Sequence, residues 1–156
     1  MSETAATKAV LKTSKGTIEI ELWPTKAPLH VANLKKLADA KFYDGLIFHR
    51  VIPSFMIQGG CPKGSGTGGP GWNVKAEFND SPFHKGVLGM ARSSDPNSAG
   101  SQFFICVADA PHLNGQYTAF GKVTKGQEIA DGISQAARDS RDVPKEKIVI
   151  ESMQVS

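Results

Sequence analysis

With only two cysteines in 156 residues, Cys61 and Cys106, and no CxxC pair, the chain has no disulfide framework. Reduced thiols in a cytoplasmic setting are expected. Nothing approaches the run of about 18 apolar residues that a membrane-spanning helix needs. The N-terminal MSETAATKAVLK also lacks a basic segment followed by a long apolar stretch. A chain that is neither exported nor membrane-bound is therefore expected. Blocks of like charge are missing too: 18 Lys and Arg are interspersed with 15 Asp and Glu, for a net charge of +3. Such a mixed surface does not point to nucleic acid. The four histidines, His30, His49, His84 and His112, are widely separated, and no cysteine stands at ligand spacing from any of them. No metal or other cofactor is expected.

What is present suits one domain. A chain of this length that is 40% hydrophobic can bury a single sizeable core. Residues 1–7 read as a flexible tail and residues 8–156 as one domain, monomeric because no extended apolar stripe is evident. Ile18, Ile20 and Leu22 alternate with Thr17, Glu19 and Glu21 beyond the turn Ser14-Lys15-Gly16, which predicts a hairpin with the segment Lys8 to Ser14. From Pro28 to about Lys41, Val31, Leu34, Leu37 and Ala38 recur at helical spacing, with Thr25 as a candidate cap and Pro28 in the first turn. Short apolar segments follow at Leu46 to Ile52, Phe55 to Gln58, Gly86 to Ala91, Gln102 to Val107 and Thr118 to Val123. A second helix is predicted over Gln127 to about Arg138 and a last strand over Lys147 to Val155. Many short strands with two helices predict a mainly β, closed barrel whose open ends the helices plug.

Gly64-Ser65-Gly66-Thr67-Gly68-Gly69 matches GxGxxG in letters, but Pro70-Gly71 follows where a phosphate-binding helix should open. A glycine-rich surface loop close to a groove is the better reading. No GxSxG elbow is present, and Cys106 inside QFFICV reads as a small buried apolar residue. The stretch FHRVIPSFMIQGG, Phe48 to Gly60, is different: it sets Arg50 inside an apolar segment, where a guanidinium without partners is costly. Either Arg50 lies outside the core or it faces a pocket that needs its donors. With Phe55, Met56, Gln58, Gln102, Phe103, Phe104 and Leu113 it forms an aromatic and polar set that composition alone does not separate from ordinary core.

FHRVIPSFMIQGG, the later MARSSDPNSAGSQFFI from Met90 to Ile105, and FGKV from Phe120 to Val123 resemble, in order and spacing, the signature blocks of cyclophilins. The resemblance extends from about Lys8 to Val155. It implies a peptidyl-prolyl cis-trans isomerase on an eight-stranded antiparallel barrel capped by two helices, acting on proline-containing peptides and assisting protein folding as a chaperone. It also implies that Arg50 is the active-site arginine and that Phe55, Met56, Phe104 and Leu113 line the proline pocket. Gln58, Ala91 and Gln102 fall on substrate-contacting positions. The chain departs from many eukaryotic members at His112, where they carry tryptophan, at Tyr117, where they carry histidine, and at Arg92, where they carry asparagine. The loop after Arg92 is also longer by one residue. These departures resemble bacterial members; they leave Arg50 in place and imply altered flanking-residue contacts and weakened cyclosporin binding. A module that binds proline peptides without turnover is the main alternative, and the charged Arg50 is the feature that separates the two.

Overall fold

The computed structural model describes residues 6–156. The expected tail falls mostly on residues 1–5, outside the described residues. Ala6 is buried, and the Thr7 N–H donates to the Ser156 carbonyl, so these two residues belong to the packed body. The strands are β1 (Lys8–Thr13), β2 (Gly16–Leu22), β3 (Phe48–Ile52), β4 (Met56–Gly59), β5 (Val87–Met90), β6 (Phe103–Cys106), β7 (Ala119–Lys125) and β8 (Ile150–Val155), with helices α1 (Pro28–Asp39) and α2 (Gln127–Ser134). One antiparallel sheet runs in the order β3-β4-β6-β5-β7-β2-β1-β8. It curls until its outer strands meet. Their seam is short: the bridge Ile47 to Val149, with N–H bonds from Gly45 to the Ile150 carbonyl, from Ile150 to that of Leu46 and from Phe48 to that of Ile148. The expected eight-stranded barrel is present, but closed is too strong a word for it: the outer strands are joined by a few bonds instead of a full ladder.

The hairpin follows its sequence pattern. Ile18, Ile20 and Leu22 point inward, and β1 pairs with β2 from Lys8↔Glu21 to Thr13↔Gly16. β6 does not alternate, because both of its faces are covered: Phe103 and Ile105 lie in the barrel core, Phe104 and Cys106 in a second cluster outside it with Met56, Phe83 and Leu113. α1 packs against β8, and α2 against β2, β3 and β4. Among the described residues no helix is long and apolar enough to cross a membrane.

Two helix ends differ from expectation. Thr25 does not cap α1, whose N-cap residue is Ala27 with no side-chain bond. The free N–H groups of Leu29 and His30 instead donate to the carboxylate of Glu77, at 3.1 and 2.8 Å. A carboxylate at a helix N-terminus satisfies orphan donors and opposes the helix dipole, whichever part of the chain supplies it. α2 stops at Ser134, short of Arg138. Beyond it the Ala137 carbonyl accepts the Lys145 N–H and Arg138 bridges to Pro144, so the backbone groups that would extend the helix are engaged by the returning loop.

His30 completes the α1 cap, its Nδ1 lying 2.7 Å from the Glu77 carboxylate. Its Nε2 and the Nδ1 of His49 are buried without a hydrogen-bond partner among the described residues. Burial lowers the His30 pKa from its ordinary 6.5, against the opposing pull of Glu77; burial and then the Arg50 charge lower that of His49. In both cases the unfolded chain binds protons more readily than the folded one. Stability should therefore be fully present above about pH 7 and fall as pH drops through the unfolded value near 6.5. Thermal midpoints from pH 8 to 5 should show this slope, and a His30→Gln variant should show less of it. A midpoint flat through pH 6.5 would contradict the assignment.

Candidate active site

Strict alternation along β3 would send Arg50 to the same face as Phe48, into the core. A β-bulge between Phe48 and Arg50 prevents this: Phe48 pairs with Gly59 and Arg50 with Gln58, two steps on β3 against one on β4. Phe48 and Val51 both stay buried, while Arg50 emerges on the outer face. Among the described residues the Arg50 guanidinium has no hydrogen-bonded or ion-paired partner, so the burial objection does not arise and its donors are free.

From Arg50 the ladders build a row across four strands. Arg50 pairs with Gln58, Gln58 with Phe104, and Phe104 with Gly89. Paired residues in a ladder share a face, so Arg50, Gln58 and Phe104 project together. The row ends in glycine because a ring fills its space: a Cβ at position 89 would lie 2.4 Å from Phe104 Cζ and 2.7 Å from Phe83 Cε1. Phe104 is thus held between Phe83, at 5.6 Å between ring centroids, and the Tyr117 ring, met at 5.7 Å and 89°.

Loops close the sides of the row. Arg50, Phe55, Met56, Gln58, Ala91, Arg92, Phe104, Leu113 and Tyr117 line one recess of about 120 Å³. Leu113 reaches it from a short 3-10 helix, Pro111–Leu113. Arg92 lies over the Tyr117 ring at 4.5 Å, and its guanidinium donates to the Gln116 carbonyl through Nε and Nη2 and to the Ser93 carbonyl through Nη1. Two of the expected residues stand apart. His112 is exposed outside the recess and packs on Phe55, with ring centroids 5.4 Å apart. Gln102 lies behind Gln58, accepting from its Nε2 at 3.0 Å and donating to the carbonyls of Gly66 and Gly68. Gln58 is therefore half engaged, with its carbonyl oxygen and one amide hydrogen left for a ligand.

The glycine-rich loop is fixed by these bonds and by Cys61, whose sulfur accepts the Gly66 and Gly68 N–H groups. It forms a wall of a second, larger cavity that Lys63, Trp72, Asn73, Ser93 and Ser98 also line. The glycine run reads from sequence as a loop near a groove, but those five residues carry no motif of their own. Only their nearness in sequence to the glycine run and to Arg92 hinted at them. Among the described residues no group of three or more His, Cys, Asp or Glu could hold a metal ion.

A recess with Phe55, Met56, Phe104 and Leu113 as apolar walls, and a free guanidinium and a half-free amide in the same lining, can hold a small ring while directing donors at the adjoining backbone. Comparison with known proteins identifies the family. Residues 8–155 match the family model described as cyclophilin type peptidyl-prolyl cis-trans isomerase. A peptidyl-prolyl cis-trans isomerase of Synechococcus elongatus is 46% identical over 146 residues, covering 94% of this chain and 99% of that protein. Peptidyl-prolyl cis-trans isomerase B of Bacillus subtilis is 53% identical over 131 residues, 83% of this chain and 87% of that one. A cyclophilin-type isomerase of Cryptosporidium parvum, crystallised in the presence of the dipeptide Ala-Pro, superposes with a TM-score of 0.91 at 33% identity, covering 96% of this chain and 98% of that one.

Proposed function

The chain belongs to the cyclophilin-type peptidyl-prolyl cis-trans isomerases, and from that premise we propose that Arg50 drives the rotation while the recess beside it holds the proline ring. Proline-containing peptides and folding chains are the substrates, in keeping with the Ala-Pro dipeptide present with the Cryptosporidium relative. The observation that carries the mechanism is the Arg50 guanidinium, unpartnered among the described residues, in the lining of the recess walled by Phe55, Met56, Phe104 and Leu113 and in register with Gln58.

Rotation about a peptide bond meets a barrier of about 18–20 kcal/mol, because the nitrogen lone pair is delocalised into the carbonyl. For X-Pro bonds the uncatalysed exchange takes tens to hundreds of seconds. At the twisted geometry the lone pair localises on nitrogen. A guanidinium N–H aimed there forms a bond that strengthens only in the transition state, which is what lowers the barrier. Phe55, Met56, Phe104 and Leu113 fix the ring, and Gln58 anchors the backbone, so one side of the bond stays still while the other turns. A pure binding module would use the recess but has no evident need for a charged donor at its edge.

The reaction transfers no proton. Arginine stays charged throughout the neutral range, and His49 beside it has its pKa lowered from 6.5. Between about pH 6 and 8, kcat/KM for an X-Pro peptide should therefore vary by less than about twofold. NMR exchange measurements on a short X-Pro peptide test both points: no catalysis would remove the proposed function, and a bell with two limbs inside that range would remove the arginine-only mechanism.

A further inference from the structure

The larger cavity, of about 710 Å³, shares Gln58, Ala91 and Arg92 with the proline recess. A peptide whose proline fills the recess therefore carries a neighbouring residue across that shared wall, since an extended chain advances only about 3.3 Å per residue. The charges it meets are of one sign. Lys63 and Arg92 line the cavity, Arg50 stands at the mouth of the recess, and among the described residues neither lining contains Asp or Glu. None of the three cations is in an ion pair among the described residues. Arg92 is fixed by the neutral carbonyls of Gln116 and Ser93, which position its charge without cancelling it. The nearest acid in sequence, Asp95, turns back on its own loop to accept the Asn97 N–H. The charge is felt inward as well, since Arg50 contributes to lowering the pKa of His49.

We propose that this cavity selects substrates carrying Asp or Glu within two residues of the proline, with Lys63 and Arg92 as the specificity determinants. The inference rests on the proline occupying the Arg50 recess. Unpaired cations in a concave, carboxylate-free wall favour an anionic side chain and repel a cationic one, and part of the discrimination comes from that repulsion.

The test uses peptides identical except for one residue, Glu, Gln or Lys, placed in turn at each of the two positions on either side of the proline, with kcat/KM read by NMR exchange. At low salt the Glu peptide should exceed the Lys peptide by about tenfold at the best position, with Gln between, and the gap should shrink to about twofold at high salt. Lys63 is exposed, so Lys63→Glu should fold, and it should reduce or invert the Glu-to-Lys ratio; Arg92→Gln should reduce it independently. Equal rates for the three peptides in the intact protein would overturn the specificity while leaving the isomerase mechanism standing. A ratio unchanged in both variants would also overturn it. Failure to catalyse even the Gln peptide would remove the mechanism and this inference together.

Discussion

Replacing Arg50 with alanine should lower kcat/KM for cis-trans isomerisation of an X-Pro peptide by about two to three orders of magnitude, the usual consequence of removing a donor that acts on transition-state charge. The folded state should hardly notice. Arg50 is exposed, is unpartnered among the described residues and sits on the outer face beyond the bulge, so nothing in the packing depends on it. The thermal midpoint should move by less than about 2 °C, as for other surface substitutions. Arg50→Lys should recover only part of the activity, because a flexible point charge does not reproduce the planar fork of donors. The measurements are isomerisation by NMR exchange and thermal unfolding by circular dichroism on the same samples. A folded Arg50→Ala protein with near-normal catalysis would refute the role assigned to Arg50, and the proline recess alone would then have to explain turnover.

The second large effect separates two adjacent phenylalanines. Phe103 and Phe104 are neighbours on β6, but their rings lie on opposite faces of the sheet. Phe103 is in the barrel interior, edge-on to Tyr43 at 5.7 Å and to Phe48 at 6.2 Å. Truncating it to alanine should cost about 3–5 kcal/mol, since the barrel cannot collapse around the missing ring. For a domain of typical stability, about 5–15 kcal/mol, that is a large share, corresponding to a midpoint lower by roughly 10–15 °C. Activity per folded molecule should remain within a few-fold. Phe104→Ala should lose stability too, because the ring is buried in the outer cluster. Its distinguishing effect is on catalysis: without that wall the ring of the substrate is no longer held, and kcat/KM per folded molecule should fall by about 10–200-fold. Equal specific activities for the two variants, after correction for folded fraction, would contradict the placement of the proline in the recess.

Much of the frame was legible locally. The alternation of Ile18, Ile20 and Leu22 and the glycine turn specify the β1–β2 hairpin, and the 3.6-residue recurrence of Val31, Leu34 and Leu37 specifies α1. Helix ends were less legible, because their partners are remote: Glu77 caps α1 from 47 residues away, and the loop returning to Ala137 ends α2. QFFICV gave no face assignment, since a strand covered on both sides has no polar face to mark it.

By itself the sequence determined the hairpin, the first helix and, through its three motifs, the family. Those features are set by local periodicity, turn chemistry and contiguous residues. Only the tertiary structure decided where Arg50 points, because strict alternation places it inside and the outward turn depends on a bulge opposite Gly59. It also decided that Gln58, Phe104 and Gly89 fall into one row, that Arg92 is clamped onto Tyr117, and that Lys63 and Arg92 line one cavity. Such relations depend on the register of separate ladders and on loops that pack across them, and no local pattern carries that information.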